Sequence, residues 1–60
     1  MTIKVLMIDD DQTLCGRLEQ YFSQYDIQLV SAYTPADGRE MLASQQPALL
    51  LLDVMLPETD

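Results

Sequence analysis

The sequence has 60 residues, with ten acidic and three basic side chains, a formal net charge of −7 and an apolar share of 48%. A chain this short forms one domain at most and buries only about 60% of the surface its unfolded form exposes; its single cysteine excludes an internal disulfide, and without histidine there is no Cys/His zinc cluster. The apolar share is too high for disorder, the acidity argues against direct nucleic-acid binding, and the longest wholly apolar run, Ala48 to Leu52, is far short of the roughly 20 residues that cross a bilayer.

Ile3 to Ile8 is almost entirely apolar and rich in β-branched residues, which predicts a strand buried on both faces, as in a parallel sheet. Asp11 is placed to cap a helix, and Leu14, Leu18, Tyr21, Phe22 and Tyr25 recur at three and four residues behind it as the apolar face. Arg17, Glu19, Gln20 and Gln24 fall mostly on the other side. Asp26 marks a turn, and Ile27 to Ala32 is a second strand. Thr34-Pro35-Ala36-Asp37 opens a second helix: Thr34 caps it, Pro35 has its φ preset, and Asp37 suits the positive end of the helix dipole. Met41 and Leu42 are expected to supply its core contacts, and Gly38 to mark close packing on the sheet. Gln45-Gln46-Pro47 ends it, and Ala48 to Leu52 is the third strand. No signal peptide is visible at the N-terminus, so a cytoplasmic location is expected.

The order β-α-β-α-β, with connections a helix long, predicts parallel strands joined by right-handed crossovers. With the third strand on the far side of the first, the order becomes 2-1-3, and the helices lie on opposite faces. The C-terminal ends of the first and third strands then meet where strand order reverses, the place where open α/β sheets bind ligands. Six of the ten acids, Asp9, Asp10, Asp11, Asp53, Glu58 and Asp60, lie at the ends of those two apolar runs. Asp11 reads as a cap, and Glu58 and Asp60 as solvated loop charges. Asp9, Asp10 and Asp53 converge. Two unit charges about 4 Å apart repel by about 4 kcal/mol at an effective dielectric of about 20, so a proton or a cation must intervene. An oxygen-only donor set selects a hard cation, and few ligands in an open crevice favour Mg²⁺ over Ca²⁺. Cys15 is expected to be a small core residue, because nothing basic adjoins it to activate the thiol.

Ile8-Asp9-Asp10 closing a strand before a helix, with Leu50-Leu51-Leu52-Asp53-Val54-Met55-Leu56-Pro57 at the third strand, resembles the receiver domain of two-component response regulators. The resemblance implies the N-terminal half of a doubly wound, flavodoxin-like domain over residues 1–60. Asp53 would accept a phosphoryl group from a sensor histidine kinase. Asp10 would bind Mg²⁺ directly and Asp9 through water, with Asp53 and the backbone carbonyl of Met55 as further ligands, and Pro57 would shape the following loop. Such a domain catalyses only its own phosphorylation and dephosphorylation and is not otherwise an enzyme. The Asp-Val-Met-Leu-Pro wording is similar to regulators with a winged-helix DNA-binding output domain, so transcriptional control is expected. The family's Ser or Thr, Lys and aromatic switch residues have no counterpart in these 60 residues, which are therefore expected to be a fragment or the ordered part of a longer chain. The missing half, or a second copy, would cover the apolar edge of the third strand.

Two other classes compete. Asp9-Asp10-Asp11-Gln12-Thr13 also resembles the Asp-x-Asp-x-Thr motif of haloacid-dehalogenase-type phosphatases, with Asp9 as nucleophile, Asp11 as acid/base and Mg²⁺ between them. That family inserts a flap where this sequence starts a plain helix. The third class is a degenerate receiver serving only as an interaction module. A P-loop NTPase is dropped because the Gly-x-x-x-x-Gly-Lys-Ser/Thr loop is absent.

Overall fold

In the computed structural model, residues 1–52 are described. The first strand, β1 (Ile3–Ile8), is central, and alternation along it decides where everything else goes. Val5 and Met7 point to one face, where they pack with Cys15 and Leu29 and with the partly buried Leu18, Phe22 and Ile27. Leu6 and Ile8 point to the other, where they meet Ala32, Val30 and Met41. Helix α1 (Gln12–Ser23) therefore covers the first face and α2 (Pro35–Gln45) the second.

Strand β2 (Ile27–Ala32) pairs with β1 in parallel from Ile3↔Ile27 to Ile8↔Ala32. Strand β3 (Leu49–Leu52) pairs with its other side, also in parallel, from Val5↔Leu49 to Ile8↔Leu52. The sheet order is β2-β1-β3, as the right-handed crossovers require. The helices sit over β1 and β2, so all four leucines of β3 stay exposed, at 39–61% of their surface. Among the described residues, Asp26 and Gln46 are the non-glycine residues with left-handed φ, 60° and 48°; each turns the chain from a helix back toward a strand.

Both predicted caps form. Asp11 accepts from the Leu14 N–H at 3.0 Å, and the Thr34 hydroxyl accepts from the Asp37 N–H at 3.1 Å. The apolar face of α1 is rotated from the one expected. Its centre is Cys15, flanked by Leu18 and Phe22, while Leu14, Tyr21 and Tyr25 are exposed. Tyr21 instead stacks edge-on against Phe22 at 5.5 Å and tilts against Tyr25 at 5.3 Å. On α2, Met41 packs against the core, whereas Leu42 is exposed.

Gly38 brings α2 onto the end of β1. A Cβ at that position would lie 2.7 Å from Ile8 Cγ1 and closer still to its Cδ1. Ile8 is buried among Leu6, Ala32, Val30 and Met41, so it has no free space to turn into. Gly38→Ala should thus destabilise the protein by about 1–3 kcal/mol from overpacking, offset by about 1 kcal/mol of helix propensity. Adding Ile8→Val, which deletes Cδ1, should recover part of the loss. Urea denaturation of the single and double variants measures both effects.

Candidate functional site

The C-terminal ends of all three strands lie on one edge of the sheet, and both helices begin there. Their positive dipole ends favour negative charge at that edge, each by roughly 0.3–1 kcal/mol near the surface. The acidic loop Asp9–Asp11 occupies this edge between β1 and α1.

Asp9 is buried, with only 5% of its surface exposed, and nearly every polar atom it has is engaged. Its N–H donates to the Ala32 carbonyl at 3.0 Å, continuing the β1–β2 ladder by one step. Its carbonyl accepts from the Cys15 thiol at 3.7 Å, and its Oδ1 accepts the Asp11 N–H at 2.9 Å. Asp9 thereby shapes the loop, and the exposed Asp10 is carried on it. Asp11 is spent as the cap of α1, as its position in the sequence suggests.

The donor set suits a hard cation: Asp9 and Asp10 offer carboxylate oxygens, with no imidazole or thiolate competing at the loop. Among the described residues no three His, Cys, Asp or Glu side chains gather closely enough to enclose an ion. Asp9 and Asp10 are thus part of a site at most. Asp53, Met55 and Pro57, like Val54, Leu56, Glu58 and Asp60, lie outside the described residues.

Ser31 and Glu19 form a contact that sequence reasoning did not anticipate, and Cys15 takes the buried position expected of it. Ser31 donates to Glu19 Oε2 at 2.7 Å in a partly buried bond between β2 and α1. Cys15, fully buried, lies one helical turn before Glu19. Glu19 was expected on the solvent side of α1; rotation of the helix turns it to the sheet. The available signal was Ser31, a polar residue at the inward register of a buried strand, which requires a partner. Among the described residues no buried side-chain nitrogen or oxygen lacks one.

Burial pushes the Cys15 thiol's pKa up; the nearby Ser31 hydroxyl acts in the opposite direction, and the Asp9, Glu19 and Asp11 carboxylates add to the rise. Since the folded thiol holds its proton more tightly than the unfolded one, its contribution to stability is complete below the ordinary thiol range. That contribution is lost as pH climbs through the range toward the folded value. Denaturation midpoints should fall on the alkaline side in the wild type and fall less in Cys15→Ser. A thiol reagent should label Cys15 only as the protein unfolds.

A parallel β-α-β-α-β sheet ordered 2-1-3, with an acidic pair at the first strand's end, has the strand order of a doubly wound α/β fold. The sequence matches the response regulator receiver domain family over residues 5–60, and the chain belongs to that family. It is 41% identical over 56 residues to the transcriptional regulatory protein GltR of Pseudomonas aeruginosa, covering 93% of this chain and 23% of GltR. It is 36% identical to the response regulator MprA of Mycobacterium ulcerans over all of this chain and 26% of MprA. A protein-glutamate methylesterase/protein-glutamine glutaminase of Methylobacillus flagellatus matches at 40% identity over all of this chain and 18% of that protein. The chain thus spans about a quarter or less of these relatives. A signal receiver domain from Vibrio parahaemolyticus superimposes with a TM-score of 0.84 at 23% identity, over all of this chain and 46% of that one, which establishes the shared fold. The family matched is the receiver and not the dehalogenase-type phosphatase, and α1 follows β1 without a flap.

Proposed function

We propose that this chain supplies the phosphoryl-accepting side of a two-component receiver, with Asp53 as acceptor and a sensor histidine kinase as donor. The single observation that carries this is the register: Ile8, immediately before Asp9, pairs with Leu52, immediately before Asp53. A carboxylate oxygen of Asp53 attacks phosphorus, the bond to the kinase's phosphohistidine nitrogen breaks, and that nitrogen leaves with the electron pair. Mg²⁺, held by Asp9, Asp10, Asp53 and the Met55 carbonyl, would supply charge neutralisation for the transferring group. Pro57 would shape the loop that follows. Asp9, tied into the backbone, would act mainly by fixing Asp10, and Asp10 would be the residue that holds the metal directly.

The modification adds negative charge and strong acceptor oxygens at an edge where two helix N-termini meet. The relatives' names point to different outputs for this same stretch, a transcriptional regulator in one and a methylesterase in another. A transcriptional output is the reading that the GltR name supports; we place it with a DNA-binding output domain and in the cytoplasm, where a kinase's phosphorylated domain is met. Further receiver strands, or a second copy, would cover the β3 leucines.

The test is incubation of the receiver-bearing protein with acetyl phosphate and Mg²⁺, then borohydride trapping and peptide mapping. Label should fall on Asp53, vanish in Asp53→Asn with folding intact, and diminish in Asp10→Asn, which leaves the nucleophile in place. Label on Asp9 would instead support the phosphatase, and a folded protein without label would support an interaction module.

A further inference from the structure

We propose that the Glu19–Ser31 hydrogen bond is a positioning brace for the acidic loop, acting through Cys15; this rests on the metal-binding role of Asp10 given above. The bond joins α1 to β2 at 2.7 Å in a partly buried setting, the length and environment of a charge-assisted contact. Leu18 and Phe22 fill the rest of this helix face, so a carboxylate among them incurs a desolvation cost that an apolar residue would not.

Each partner stands one step from a hydrogen bond to the Asp9 backbone. Ser31 directly precedes Ala32, whose carbonyl accepts the Asp9 N–H at 3.0 Å. Glu19 lies one turn after Cys15, whose thiol donates to the Asp9 carbonyl at 3.7 Å. The brace thus closes a loop of contacts: Asp9 to β2, β2 to α1, and α1 back to Asp9. The thiol is a weak donor, and alone it would hold the carbonyl loosely. Its placement depends on α1 keeping its position over β2, which is what the brace fixes. Asp9 Oδ1 in turn holds the Asp11 N–H, so the orientation of the peptides flanking Asp10 follows from the same contacts. Glu19 and Ser31 touch no reacting group; they act through the loop.

Four variants separate donor–acceptor geometry from charge and packing. Ser31→Thr keeps the hydroxyl and Glu19→Gln keeps an acceptor oxygen; Ser31→Ala and Glu19→Ala remove one partner each. Two measurements are made on the receiver-bearing protein: Mg²⁺ affinity by titration, and hydrogen exchange of the Asp11 amide without metal. Both alanine variants should bind Mg²⁺ about threefold to tenfold more weakly, within the range carried by packed side-chain networks. Their Asp11 amide should exchange faster, the Thr variant should match the wild type in both respects, and the Gln variant, which keeps the acceptor but loses the charge, should fall between the wild type and Glu19→Ala. Unchanged Asp11 exchange in the alanine variants would overturn the proposal. Equal losses in Glu19→Gln and Glu19→Ala would also overturn it, since charge would then be the cause. A wild type that does not respond to Mg²⁺ would defeat the metal reading of Asp10, while Asp11 exchange would still decide the brace.

Discussion

The double-sided burial of β1 is the constraint from which the rest of the molecule follows. Val5 through Ile8 are all buried, two to each face, so each face needs its own cover. A single crossover can cover only one. The chain therefore passes α1 over one face, returns through β2, and passes α2 over the other before pairing β3 on the free side of β1. Burying such side chains is worth about 1.5–3 kcal/mol each, against about 0.5–1.5 kcal/mol for an ordinary neutral hydrogen bond. The reversal of strand order, and the crevice it opens, are consequences of satisfying those four residues.

The acidic loop sits where that architecture can tolerate it. Negative charge beside two helix N-termini meets unpaired N–H groups instead of carbonyl oxygens. Asp11 and Asp9 each take one of these donors, and in doing so they give up part of their freedom as ligands. Adjacent acids of the same type thus diverge in role by burial alone: Asp9 is enclosed and shapes the backbone, whereas Asp10 faces solvent. Of the three consecutive acids, Asp11 is the cap expected of it, Asp9 is a buried anchor and Asp10 is an outward carboxylate.

Strand identity, both N-caps, the 2-1-3 order and the close approach at Gly38 were all legible, because each depends on local chemistry or on chirality. The packed face of α1 was legible in part: Cys15, Leu18 and Phe22 pack as expected, whereas Leu14, Tyr21 and Tyr25 are exposed. Leu14, Tyr21 and Tyr25 match helical periodicity as well as Cys15, Leu18 and Phe22 do, and only the depth available over Val5, Met7 and Leu29 selects the narrower Cys15 face. That choice also hid Glu19, which looks like a surface acid until the helix is rotated against Ser31. The convergence of Asp9 with Asp53 was inferred from topology, and the described register reaches Ile8↔Leu52, one residue short of both.

Asp26 and Gln46 give the two edges of the sheet different characters. Both stand on the edge opposite the acids, and both make their bend by backbone conformation. The Asp26 carbonyl then accepts the Ile3 N–H at 3.0 Å, and the Ala48 N–H donates to the Lys4 carbonyl at 2.8 Å, so main-chain groups close that edge too. One side-chain bond adds to them, from Lys4 Nζ to Gln45 Oε1 at 3.0 Å. The acidic edge, by contrast, is assembled from specific side chains reaching into neighbouring backbone. Peptide tags, labels or inserted loops placed at the two bends should therefore be accommodated with little disturbance of the acidic edge, which makes the bends natural attachment points for probes that report on the loop from a distance.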